Sequence, residues 1–218
     1  MTFSWSAFFD AFPNLVAGAE LTLLIALVSL PVGMLVGAAV GVILTYGPRP
    51  LATLAKIYVG LIRGTPMVVQ IMFIYFALPI ALGVRLPAVS AGVLALVVNS
   101  SAYLAEIVRG GFLAVPKGLG EAGLAMGLPL YKVVLHIVGP VAFRRMMPAL
   151  GNQFIIGLKD TSLLIVIGVG ELTRTGQEIM TDSYRAVEVW CAVAIIYFAI
   201  ITCMAGGLRW VEKRLRMI

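Results

Sequence analysis

Charge is what this chain has least of: Lys, Arg, Asp and Glu make up 12% of its 218 residues, while 61% are hydrophobic. A soluble domain carries roughly 25% charged residues, and no single core of this size could enclose the apolar surplus. Part of that surface must face lipid. Cysteine is nearly absent too. Cys191 and Cys203 sit in one apolar run, and twelve residues of helix separate them by about 18 Å. That excludes a bridge within the helix, and no disulfide framework or metal site is suggested. The one histidine, His136, reads as structural. No G-x-x-x-x-G-K-[ST] run occurs, so the chain binds no nucleotide by a P-loop and is not an enzyme on its own. Residues 1–20 hold Asp10 and Glu20 but no Lys or Arg, which argues against a cleaved signal peptide and leaves targeting to the first long helix.

What is present is a series of long uncharged runs. Residues 21–48, 64–84, 86–105 and 189–208 give 28, 21, 20 and 20 residues without a charge, each enough for a helix to cross a hydrocarbon core. A fifth stretch, 146–170, is interrupted by Lys159-Asp160 and reads as a span with an ionic pair near its middle, each partner meeting another helix. Backbone groups in lipid must be satisfied within the segment, so the spans are helices. The expectation is an all-α polytopic membrane protein with about five spans in one domain over 1–218, termini on opposite sides.

The net charge of +6 reflects topology rather than nucleic-acid binding. With the N-terminus outside, the inner segments hold Arg49, Lys56, Arg63, Arg109, Lys117, Lys132, Arg144, Arg145, Arg209, Lys213, Arg214 and Arg216, against Arg85, Arg174 and Arg185 outside. The positive-inside rule therefore places the N-terminus in the periplasm and the C-terminus in the cytoplasm. The outer loop between spans four and five is acidic, with Glu171, Glu178, Asp182 and Glu188, and reads equally as a docking surface or a solvated loop. Gly33, Gly37 and Gly41 at four-residue spacing allow close helix approach, within the chain or between subunits.

The longest inner segment, 107–145, is amphiphilic, with Leu113, Val115, Leu119, Leu124, Met126, Leu128 and Leu130 among glycines and charges. It predicts short helices that dock on something. Here Glu121-Ala122-Gly123, then Gly127, Ile137 and Pro140 resemble the EAA loop of permease subunits of bacterial ATP-binding-cassette importers. Gly123 stands where the family has a second alanine, and Gly139 where it usually has leucine. Arg63-Gly64-Thr65-Pro66, Asn99-Ser100-Ser101-Ala102-Tyr103, Glu106-Ile107-Val108-Arg109-Gly110 and Lys159-Asp160-Thr161-Ser162-Leu163 resemble polar amino-acid permeases. Residues 70–79, QIMFIYFALP, are most similar to those that carry glutamine. The resemblance covers most of residues 20–210.

It implies the type I importer fold (MetI-like), residence in the bacterial inner membrane, and alternating access driven by ABC ATPase subunits. Those subunits would bind ATP and magnesium, leaving this chain without cofactors. A second permease subunit, identical or homologous, and a periplasmic amino-acid-binding protein complete the implied assembly, which involves lipid and no nucleic acid. Glu121, Ala122, Gly123, Gly127, Ile137 and Pro140 would form the ATPase-coupling contact. Polar residues inside a bilayer mark pathways or interhelical networks, and both readings remain for Gln70, Asn99, Ser100, Tyr103, Glu106, Lys159, Asp160 and Ser162. On the pathway reading Glu106 or Asp160 meets a substrate ammonium, while Asn99, Ser100 and Gln70 serve its polar remainder. The substrate is glutamine, or glutamate, aspartate, arginine or histidine. The alternatives are a secondary transporter, for which no inverted repeat is visible, and a channel-type or structural membrane subunit.

Overall fold

A chain this apolar has to close its backbone hydrogen bonds on itself, and it does so entirely with helices among the described residues, 3–216 of a computed structural model. A short α1 (Trp5–Asp10) leads into α2 (Phe12–Tyr46). Then come α3 (Arg49–Arg63), α4 (Met67–Leu82), α5 (Ala88–Leu113), α6 (Lys117–Ala125), α7 (Leu130–Ile167), α8 (Leu172–Ser183) and α9 (Ala186–Arg216). Helices α2, α5, α7 and α9 are long and apolar enough to cross a membrane. With α3 and α4 counted as one broken span, there are five.

The centre of the bundle is the parallel contact of α2 with α5. A Cβ on Gly37 would lie 2.7 Å from Leu104 Cβ, and one on Gly41 would lie 2.7 Å from the Ala105 carbonyl oxygen. Gly33 faces Ser100 in the same way. The glycine stripe is thus used inside the chain, where small residues give close backbone approach and dispersion contact in a medium that offers no hydrophobic drive. Hydroxyls on α2 return to their own helix: Thr22 donates to the Gly18 carbonyl at 3.1 Å and Ser29 to that of Ile25 at 2.7 Å. Leu30 of α2 also meets Gly157, which brings α7 against the other side of this core.

Tyr46 and Phe112 stack edge to face at 5.4 Å, so α2 and α5 end together on the side that carries α6. The opposite end carries α8, whose Leu172 N–H donates to the Thr22 hydroxyl at 3.1 Å.

The second span departs from the expectation of a single helix over 64–84. Helix α3, expected as an inner loop, climbs antiparallel to α5. Ala55, Val59 and Ile62 are buried, and Val59 and Ile62 pack with Ala102 and Ala105. Tyr58 donates to the Val98 carbonyl at 2.9 Å. At Gly64–Pro66 the chain breaks, and α4 leaves at 105°. Arg49, Lys56 and Arg63, seven residues apart, form one stripe of α3 rather than a charged linker.

Two helices widen just before a proline. Phe73–Ala77 precedes Leu78-Pro79, and Val133–Val138 precedes Gly139-Pro140. Leu78 N–H bonds to the Phe73 carbonyl, and Gly139 N–H to that of Val134, one residue farther back than in an α-helix. Proline offers no N–H and its ring crowds the carbonyl four residues back, so a π turn at that point relieves the clash without ending the helix.

The acidic outer loop is instead the helix α8. Glu171, 0% exposed, caps it by accepting from Thr173 N at 3.0 Å and Arg174 N at 2.8 Å, and also accepts from the Tyr197 hydroxyl at 2.9 Å. A carboxylate at a helix N-terminus satisfies donors that would otherwise be orphaned. Glu178 pairs with Arg174 at 2.7 Å, and Glu188 with Arg185 at 3.4 Å. Of the four acids, Glu171 and Asp182 join no ion pair among the described residues.

Candidate functional site

The uncharged run 21–48 is centred near Met34, and Gly33 faces Ser100. Any bilayer seated on that run therefore has its centre close to Ser100 on α5. The helix break lies at this depth, one turn of α5 away at most, because the Gln70 side chain ties it to Asn99. Gln70 Nε2 donates to the Ile62 carbonyl at 2.7 Å, the Thr65 carbonyl at 3.0 Å and Thr65 Oγ1 at 2.9 Å. Gln70 Oε1 accepts from Asn99 Nδ2 at 2.9 Å. Breaking a helix in lipid exposes carbonyls that have no water to bond with, and one buried amide closes both of those at the end of α3.

Gln70 and Asn99 are 8% and 6% exposed. They are joined to each other and to the backbone. Ser100 likewise donates to the Val97 carbonyl at 3.4 Å and packs on Gly33. Tyr103 is half-buried, and the Arg63 guanidinium lies over its ring at 5.4 Å. One turn on, Glu106 accepts from Arg109 Nη2 at 2.8 Å and Nε at 3.1 Å, so its charge is compensated within α5.

Lys159 and Asp160 differ from the expectation in place and in pairing. The regular α-helix of α7 runs from Gly139 to Asp160, starting seven residues before 146, because Arg144 and Arg145 lie on the helix instead of in a loop. The pair therefore stands at its far end, about 30 Å from Gly139, before the final 3₁₀ turns Thr161–Ile167. Lys159 is exposed and Asp160 half-buried. Among the described residues neither joins an ion pair. Ser162 donates to the Lys159 carbonyl at 2.7 Å. With Gly157 against Leu30, Asp160 lies about 10 Å from the centre of the uncharged run, toward the α8 end.

The segment between α5 and α7 forms a second candidate surface. Helix α6 exposes Glu121 and Ala122 and buries Gly123, where a Cβ would fall 2.7 Å from Ile137 Cδ1 and 3.0 Å from Val133 Cγ2. A methyl at Gly123 would push α6 off the π turn beneath it. Gly127 has φ +80°. Its N–H bonds to the Leu124 carbonyl at 2.9 Å, and Leu128 N–H to the Gly123 carbonyl at 3.3 Å. This is a Schellman cap, which a Cβ would strain. Pro140 starts the regular α-helix of α7. The face left outward carries Leu119, Leu124 and Met126, the last 72% exposed. Exposed apolar side chains gathered on one short helix mark an interaction surface. Arg145 reaches back to the Ala114 carbonyl, fixing the segment to α7.

The bundle is thus long and apolar enough to span a bilayer, is broken at mid-depth, and carries at one end a short helix with exposed apolar side chains. Residues 29–217 match the family described as binding-protein-dependent transport system inner membrane component. The chain belongs to that family: it is a membrane component of such a transport system. It is 47% identical to the glutamine transport system permease protein GlnP of Escherichia coli K12, covering 100% of both chains. It is 32% identical to the arginine transport system permease protein ArtQ of Bacillus subtilis, covering 99% of each. A solved amino acid ABC transporter structure superposes with a TM-score of 0.90 at 34% identity, covering 98% of this chain and 100% of the other. The methionine transporter MetNI, at 21% identity, superposes with a TM-score of 0.83 and shows the shared fold.

Arg63 was assigned by its charge to an inner loop, and the structure lifts it to the break. Its signal was present in the seven-residue spacing of Arg49, Lys56 and Arg63, which suits one face of a helix.

Proposed function

We propose that this chain is the permease subunit of an ATP-driven importer for a polar amino acid, with glutamine as the first candidate substrate. The observation that carries the reading is the 47% identity to a glutamine permease along the entire chain, together with the presented face of α6. On this reading the α6 end is cytoplasmic and the N-terminus periplasmic, as the arginine and lysine distribution favours. ATPase subunits that bind ATP and magnesium dock on Glu121, Ala122 and the apolar face of α6. A second permease subunit covers the broken span, and a periplasmic binding protein delivers substrate at the α8 end.

Alternating access then needs weak, exchangeable partners along the pathway. Gln70, Asn99 and Ser100 support it by holding the break in shape. Glu106 is neutralised by Arg109. Asp160, half-buried and in no ion pair among the described residues, is the best placed carboxylate to receive a substrate ammonium, with Lys159 and Ser162 beside it. The test is labelled-glutamine uptake in cells lacking their own glutamine system and expressing this chain with its ATPase and binding protein. Uptake abolished by removing the ATPase is expected. Uptake that persists without it would favour a secondary transporter, and no uptake of any amino acid would defeat the reading.

A further inference from the structure

Arg63 is a cation near mid-depth that joins no ion pair among the described residues. It ends α3 at the break, beside Ile62, whose carbonyl is tied through Gln70 to Asn99. Its guanidinium lies over the Tyr103 ring, three residues of α5 past Ser100. By helical rise that is about 5 Å from the centre of the uncharged run, toward the α6 end. An arginine facing hydrocarbon at that depth is costly, so this face meets water or a polar partner. The nearest acid on α5, Glu106, is occupied by Arg109 on its own helix. No other carboxylate among the described residues pairs with Arg63.

The ring beneath the guanidinium does not consume its donors. A cation–π contact uses the flat face, while the N–H groups point outward in the plane of the fork. That fork matches a carboxylate with two parallel hydrogen bonds. Tyr103 fixes its direction, and the tied break fixes its depth. We propose that Arg63 is a carboxylate-binding station for the substrate, separate from Asp160 and nearer the α6 end. This rests on the importer reading above. By the depths just given, the backbone positions of Tyr103 and Asp160 lie about 15 Å apart along the bundle, so Arg63 is a second station nearer the α6 end. The ammonium is therefore held first, at Asp160, and the carboxylate later, at Arg63, on the way to release.

The test uses the complex of this chain with its ATPase in nanodiscs and two glutamine analogues: 4-carbamoylbutanoate, which lacks the ammonium, and glutaminamide, which lacks the carboxylate. Binding is read by saturation-transfer NMR. Arg63→Gln is expected to weaken 4-carbamoylbutanoate binding about tenfold, the value of a charge-assisted contact, and to leave glutaminamide unaffected. Arg63→Lys, which keeps the charge but not the fork, should fall between. Equal binding of 4-carbamoylbutanoate by the wild type and Arg63→Gln overturns the proposal, as does equal loss of both analogues or failure of the wild type to bind it. The importer reading fails separately, if the full system takes up no amino acid in cells.

Discussion

Two polar clusters sit within this bundle and are treated in opposite ways. At the helix break, Gln70 and Asn99 are buried, and both Gln70 amide atoms and Asn99 Nδ2 have partners in the chain. At the far end of α7, Lys159 and Asp160 are left without ion pairs among the described residues. Both clusters are costly in lipid, but only the first recovers that cost internally. A saturated network specifies shape. An unsaturated one needs something from outside the chain, and in a permease that something is substrate, water or the neighbouring subunit.

That contrast can be broken by substitution, starting where the largest effect is expected. Gln70→Leu removes the amide that donates to the Ile62 and Thr65 carbonyls and takes away the acceptor of Asn99 Nδ2 as well. It should cost about 3 kcal/mol, since each unsatisfied buried group costs about 1–3 kcal/mol. The loss should appear as reduced membrane abundance and a lower unfolding temperature in detergent, and normal abundance would show that the tie is not structural. Asp160→Asn should do the reverse, leaving abundance unchanged while uptake falls about tenfold, or roughly 1.4 kcal/mol in the transport step. An equal fall in abundance would merge the two clusters into one structural class.

Gly127→Ala places a Cβ at φ +80° and should cost about 1 kcal/mol. It should appear as weaker ATPase association with little change in the bundle. Smallest is Glu178→Gln, which removes an exposed pair with Arg174. It should shift stability by less than about 0.5 kcal/mol and leave uptake unchanged, and a clear loss of uptake would revive the acidic end as a docking surface.

Legibility in the sequence followed the physics of each segment. Three spans were readable because a hydrocarbon core sets a minimum run of uncharged residues, which 21–48, 86–105 and 189–208 meet directly. Counting charges failed for α3, since Arg49, Lys56 and Arg63 share one stripe while Ala55, Val59 and Ile62 bury the other. Periodicity, rather than the length of a gap, was the informative quantity there. Helix α8 was missed for the same reason. Its charges looked like a solvated loop, and Glu171 gave no sign in one dimension that it caps a helix and meets Tyr197 from α9. The expectation of short helices between α5 and α7 rested on apolar content, and the turn at Gly127 on glycine chemistry. Both are local properties. Which polar groups would be consumed by each other was not local: the Gln70–Asn99 bond joins residues 29 apart, and only the folded bundle shows it.

The π turn at Val133–Val138 makes α6 and the long helix beyond it one mechanical piece. Gly123 rests on Ile137 and Val133, and from Gly139 the helix continues, with Pro148 inside it, to Asp160. Its 22 residues form a rod of about 33 Å. A tilt of about 5° imposed at the Glu121 end would swing the Asp160 end through about 3 Å, the length of one hydrogen bond. The segment is a lever, long enough that a small rotation at one membrane face is a change of ligand geometry near the other.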